Sequence, residues 1–101
     1  MIDCIQALVR ERRMRITLHA KREMDEDEIR FEDLCEALLS DGSEIIEDYP
    51  EDPRGHSHLV LGFTPSMEPI HVVCAIHEEE LIVITTYRPA QERWLNWRIR
   101  R

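Results

Sequence analysis

The sequence predicts an α+β domain: N-terminal helices packed on one face of a small, mainly antiparallel four-stranded sheet, followed by a short C-terminal helix or tail. Three observations predict it. Apolar residues recur at helical spacing through the first forty positions, β-branched and alternating runs fill positions 44–87, and no linker, repeat or low-complexity stretch divides the 101 residues. Helices first and strands afterwards is the α+β order, with helices segregated to one face of an antiparallel sheet. The whole chain, 1–101, reads as a single domain, since about 100–150 residues is the commonest domain size.

The elements follow in order. Ile2, Ile5, Leu8 and Val9 form a helical stripe from Asp3 to Arg13, with Asp3 as N-cap. Met14, Ile16 and Leu18 alternate as a short extended piece, and Thr17 or Leu18 opens a polar second helix reaching about Asp27. Asp25, Glu26, Asp27 and Glu28 crowd the end of that helix, where the dipole disfavours negative charge, so this end is expected to fray. Phe31, Leu34, Cys35 and Leu38 give the clearest stripe, stopped by Gly42. Strands are predicted at Glu44–Tyr49, Ser57–Phe63, Ile70–His77 and Leu81–Tyr87, separated by proline-bearing loops and by Glu78-Glu79-Glu80. Pro89 ends the last strand, and Trp94 and Trp97 at i, i+3 suit a short amphipathic helix.

Composition bounds the function. Apolar residues are 43% of the chain, enough for one core. No apolar run approaches the roughly 18–20 residues of a membrane span, and the start lacks the basic and apolar segments of a secretory signal. Cys4, Cys35 and Cys74 are odd in number and lack C-x-x-C spacing, which points to reduced thiols and a cytoplasmic location. The net charge of −8 argues against broad nucleic-acid binding. That charge is segregated, however. Residues 1–22 carry six basic and two acidic groups, residues 85–101 five and one, and residues 23–84 two and eighteen. Either the two basic ends meet in a positive face that attracts phosphate, or their arginines pair with nearby acids.

Candidate chemistry centres on the predicted hairpin. A two-residue loop places His71 opposite Thr86; a three-residue loop places it opposite Tyr87. Either way an imidazole, a phenol and the Arg88 guanidinium gather at one sheet end: a proton mover near neutral pH, a donor to charged oxygen and a bidentate phosphate ligand. The plainer alternative makes His71 an ordinary strand residue and Tyr87 core. His19 opens the second helix with Arg22 at i+3 and Glu23 at i+4. The helix N-terminus favours its neutral, basic form.

No metal is expected. His56 and His58 share a strand face, but His71 and His77 stand about 20 Å apart along a strand, and no H-E-x-x-H is present. Phosphate loops and nucleophile elbows are absent as well, and no cofactor is implied.

From Thr17 to Trp94 the chain resembles the bacterial domain-of-unknown-function family 4258. The resemblance rests on His19-Ala20 at a helix start, Ile29 to Leu39, Ile70-His71-Val72-Val73 and, most specifically, Thr85-Thr86-Tyr87-Arg88-Pro89 with Trp94 after it. The family commonly reads His-Ala-x-x-Arg-Met; here Glu23 stands in the arginine slot and Arg22 one place early. Asp27 replaces a usual basic residue, and Arg30 a usual Ser or Thr cap.

The resemblance extends to RelE- and MqsR-like toxins and implies a metal-independent ribonuclease of a toxin–antitoxin pair. It implies His19, His71, Tyr87 and Arg88 as catalytic residues and Lys21, Arg22 and Trp94 against RNA. A small zinc-finger or helix-turn-helix antitoxin is the implied partner. A non-catalytic protein-binding module of the same fold is the alternative. The sequence sets no oligomeric state.

Overall fold

The computed structural model describes all residues, Met1–Arg101. Three helices, α1 (Ile2–Arg10), α2 (Leu18–Asp27) and α3 (Phe31–Leu39), precede most of the strands. The strands are β1 (Met14–Ile16), β2 (Glu44–Tyr49), β3 (Ser57–Phe63), β4 (Pro69–His77), β5 (Glu80–Tyr87), β6 (Trp94–Leu95) and β7 (Ile99–Arg100). The main sheet runs β1-β5-β4-β3-β2. It has five strands rather than the expected four, and it is mixed. The extended piece Met14–Ile16 docks on β5 in parallel, Met14 beside Leu81 and Ile16 beside Val83.

The helices cover one face. Ile5 and Val9 of α1, Ala20 and Met24 of α2, and Leu34, Ala37 and Leu38 of α3 close over Val60, Ile70, Val72, Cys74, Leu81 and Val83. No helix is long and apolar enough to cross a membrane. At the point of closest approach β3 carries Gly62. A Cβ there would lie 2.0 Å from the Ala37 carbonyl oxygen, so only glycine lets α3 lie on the strand.

Helix ends depart from the sequence reading in instructive ways. α1 begins at Ile2 with Asp3 inside its first turn, not at the cap. Thr17 caps α2, its hydroxyl accepting from Ala20 N at 3.1 Å. Arg30 precedes α3 without a capping oxygen; Asp33 reaches back instead and accepts from Arg30 N at 2.9 Å. The acidic end of α2 closes in a left-handed turn at Glu28, φ 54°. Its dipole is met from outside the helix, because Arg88 Nε donates to Asp27 O at 2.9 Å and Nη2 to Glu28 O at 3.2 Å.

The β4–β5 hairpin turns on Glu78 and Glu79, both at positive φ (50° and 61°). These are the angles of a tight two-residue turn whose twist matches the strands. His77 therefore pairs with Glu80. One residue is then gained on β5 between the pairs Cys74–Val83 and Val73–Thr85, leaving Ile84 as a bulge. The result sets His71 opposite Tyr87, the register expected of a three-residue loop, reached with a two-residue turn and a bulge.

The C-terminal segment is not a helix. Asn96 and Trp97 both take positive φ (51° and 65°), and β6 and β7 form a minute hairpin around them. Trp94 folds inward to 4% exposure.

Candidate functional site

Strand alternation turns Leu59, Leu61, His71, Val73 and Ala75 to the sheet face away from the helices. The C-terminal hairpin covers part of that second face. His71 is fully buried beneath it. Its Nε2 donates to the Trp97 carbonyl at 2.7 Å, and its Nδ1 lies 3.1 Å from the Tyr87 hydroxyl. A carbonyl only accepts, so the proton sits on Nε2 and Nδ1 takes the phenol's hydrogen bond. Trp94 packs edge-on against the imidazole, ring centroids 4.4 Å apart. Burial lowers the pKa of His71, outweighing the opposing pull of the Trp97 carbonyl. Burial likewise pushes the Tyr87 phenol up to about 12.

Arg100 clamps the hairpin down, donating through Nε and Nη2 to the two oxygens of Glu47 at 2.9 and 3.0 Å. Its guanidinium lies 4.7 Å from the Trp94 ring centre. Burial works against ionisation of Glu47, but hydrogen bonds from Arg100 and Tyr49 together overcome it and hold the carboxyl below its usual range.

The rest of the second face stays open as a groove. A hollow of about 360 Å³ is lined by Arg15, Thr17, His19, Arg54, His77 and the apolar floor of Ala75, Ile82 and Ile84. An adjoining one shares His19, Arg54 and Ile84 and adds Tyr49, Asp52, Val73 and Thr85. The first is within the roughly 300–1,000 Å³ of small-ligand sites.

His19 stands at the junction with its side chain 68% exposed. Thr17 fixes the helix start that carries it, and its own hydroxyl donates to Ile84 O at 3.1 Å, tying α2 to the bulge. His19 Nε2 lies 3.0 Å from Thr85 Oγ1 and 3.2 Å from Glu23 Oε1. Thr85 in turn donates to that Glu23 oxygen, and Thr86 N donates to it at 3.2 Å. The carboxylate thus orients the ring with its proton on Nε2, which leaves the Nδ1 lone pair unengaged. Beside the groove Arg54 donates to both oxygens of Asp52, at 3.1 Å each, and holds that carboxyl far below the usual range.

The chain matches the model of a family described as "Domain of unknown function (DUF4258)" over residues 16–88, well over half its length. The chain belongs to the DUF4258 family. No curated protein and no solved structure matches it.

The residues that the DUF4258 resemblance singled out fall into separate surroundings. His71, Tyr87 and Trp94 do come together, beneath the C-terminal hairpin. Arg88 still borders that corner, lining a hollow with Tyr87, Trp94 and Arg100, but its guanidinium nitrogens bond the end of α2. It lines a helix-side hollow with Lys21 and Glu68. Arg22 is exposed on α2. His19 lines the groove, which none of His71, Tyr87, Arg88 and Trp94 lines.

Glu23, Thr85, Arg15 and Arg54 are the groove residues that sequence reasoning did not cast. Glu23 was visible as the i+4 neighbour of His19, and Thr85 as the head of the Thr-x-Tyr-Arg-Pro run. Nothing in the sequence marks Arg54, which reaches the groove from a loop.

Proposed function

We propose that this DUF4258 protein is a metal-independent, toxin-like endoribonuclease whose reaction centre is the groove at His19, not the Tyr87-Arg88 corner. The observation that carries the reading is the Glu23–His19–Thr85 cluster, a solvent-facing imidazole whose tautomer a carboxylate fixes at the edge of a groove lined by arginines. Position 23 is where the family commonly has arginine; here Glu23 serves as the positioning carboxylate.

In this reading His19 Nδ1 takes the proton of an RNA 2′-hydroxyl. The 2′-oxygen attacks the adjacent phosphorus, Arg15 and Arg54 balance charge on the phosphorane, and the departing 5′-oxygen takes a proton from solvent at the open mouth. His71 has no such access, so its part is to hold the floor beneath the C-terminal hairpin. Tyr87, Trp94 and Arg88 support the same architecture.

A different observation favours a non-catalytic module that docks a protein such as a small zinc-finger or helix-turn-helix antitoxin. Phe31 is 52% exposed beside a hollow lined by Val9, Met14 and Leu39, an apolar surface on the helical side.

Incubation of the purified chain with RNA in EDTA separates the two. Cleavage is expected to persist in the chelator and to fall by about 10²–10⁴-fold in His19→Ala, with a smaller loss in Glu23→Gln. Arg88→Ala should leave the rate of the folded fraction close to wild type. Intact RNA with the wild-type chain, or full activity in His19→Ala, rejects the nuclease.

A further inference from the structure

We propose a second site, a binding site for a divalent transition-metal ion, with zinc the foremost candidate, formed by Asp48, His56 and His58. Spacing alone suggests two histidines on one strand face; in the fold His58 lies on β3, His56 just before it, and a carboxylate comes from the neighbouring strand. Asp48 on β2 pairs directly with His58 on β3. Its Oδ1 lies 2.7 Å from His56 Nε2 and 2.7 Å from His58 Nδ1. One ligand atom from each of the three residues lies within 4.8 Å of the others. The two imidazoles face one another with ring centroids 4.5 Å apart.

The decisive feature is His58. It is only 6% exposed, and its Nδ1 is buried without a hydrogen-bond partner, close to Asp48 but not aligned for a bond. A buried polar nitrogen left unsatisfied has lost its water without gaining a partner, which is destabilising. A metal ion seated between the three groups satisfies it. Ligand distances of 2.0–2.1 Å in tetrahedral geometry place ligand atoms about 3.3 Å apart. Asp48 therefore opens from each imidazole by about half an ångström, and the widest ligand spacing, at most 4.8 Å, closes by no more than about 1.5 Å. Two imidazoles and a carboxylate suit zinc and its first-row neighbours, and three protein ligands leave a position for water.

The site is distinct from the groove. His58 pairs with the core residue Cys74 and so sits on the helix-side face of the sheet. It does border the groove's supporting loop: Asp48 lies just before residues 49–55 and His56 just after, and that loop brings Asp52 and Arg54 to His19. A bound ion would join both ends of the loop.

The test is a Zn²⁺ titration of the untagged full chain by calorimetry, paired with Co²⁺ absorption spectroscopy. One equivalent is expected to bind, with affinity at least about 100-fold weaker in Asp48→Asn and in His56→Ala, beyond the 10–100-fold typical of outer-sphere changes. Both of these residues are exposed, so their replacement spares the fold that a change at His58 endangers. The Co²⁺ spectrum should show tetrahedral bands without thiolate charge transfer. Binding unchanged in either variant, a thiolate band that assigns the ion to cysteine, or no binding below millimolar Zn²⁺ overturns the proposal. Because RNA cleavage is read in EDTA, failure here leaves the nuclease reading standing, and the converse also holds.

Discussion

At the scale of single residues, the two histidines singled out for chemistry meet opposite fates, and the difference is set by what lies over them. His19 is largely open to solvent and tied by one nitrogen to Glu23 and Thr85. His71 has both nitrogens engaged and no exposure. Only the neutral ring accepts from Tyr87 while donating to Trp97, so protonation reverses the Tyr87 bond and buries a charge. Burial dominates in lowering its pKa and Arg100 adds to it, against the opposing pull of the Trp97 carbonyl and Glu47. The unfolded chain, with an ordinary imidazole near pH 6.5, then binds more protons than the folded one just below that pH. Stability therefore rises with pH through the window between the depressed folded value and about 6.5 and is lost as pH falls through it. Urea unfolding between about pH 7 and pH 5 is expected to show this decline in the wild type. His71→Asn should be less stable at pH 7 by about 2–3 kcal/mol, with a flatter profile across the same window. A wild-type profile as flat as the variant's would sink the assignment.

At the scale of elements, what the sequence made legible was periodicity, and what it hid was anything requiring a partner from elsewhere in the chain. The three helices and the four central strands announce themselves through apolar stripes and β-branched alternation, which are local. The parallel edge strand Met14–Ile16 is three residues long and owes its strand character to β5, so only its extended nature was visible. The C-terminal hairpin is expected from sequence as a short helix or tail because Trp94 and Trp97 fit a helical step; the left-handed angles at Asn96 and Trp97 that fold it back carry no strong sequence mark. The Ile84 bulge is silent too, although it decides that Thr85 faces the groove while Thr86, wholly buried, bonds His71 O at 2.9 Å. For the candidate site the same division holds. Glu23 was legible as a helical neighbour and Thr85 as a motif residue, whereas Arg54 and the Asp48 ligand of the proposed metal site needed the fold.

The α3–β3 contact gives this scale its prediction. Gly62→Ala sets a methyl 2.0 Å from the Ala37 carbonyl oxygen, a backbone atom that only a shift of the helix can move away. Overpacking of this kind costs about 1–3 kcal/mol or more. A drop in the urea midpoint of that order, with an unchanged slope, is expected; an unchanged midpoint shows that α3 does not sit as described.

At the scale of the whole molecule, the charge segregation along the chain resolves into stitching between its ends and its middle. Arg98 and Arg100 reach Glu44 and Glu47 on β2, at one edge of the sheet, while Arg13 and Arg15 meet Glu79 and Glu80 near the other. Two of these pairs differ in a way that predicts their worth. Arg98–Glu44 is about half exposed on both sides, at 42% and 45%, and exposed pairs contribute at most about 1 kcal/mol. Glu47 is only 21% exposed; it is gripped by two parallel hydrogen bonds, and the guanidinium above it also covers Trp94. Removal of Arg100 leaves a half-buried carboxylate short of donors and uncovers the lid over His71. Bidentate geometry and partial desolvation raise the value of such a pair. Double-mutant cycles in urea should give a coupling of about 1–2 kcal/mol for Arg100→Ala with Glu47→Gln, largely retained in high salt. The cycle for Arg98→Ala with Glu44→Gln should give about 0.5 kcal/mol or less. Equal couplings would mean that the C-terminal hairpin is held by its apolar contacts alone, with the arginine as a bystander.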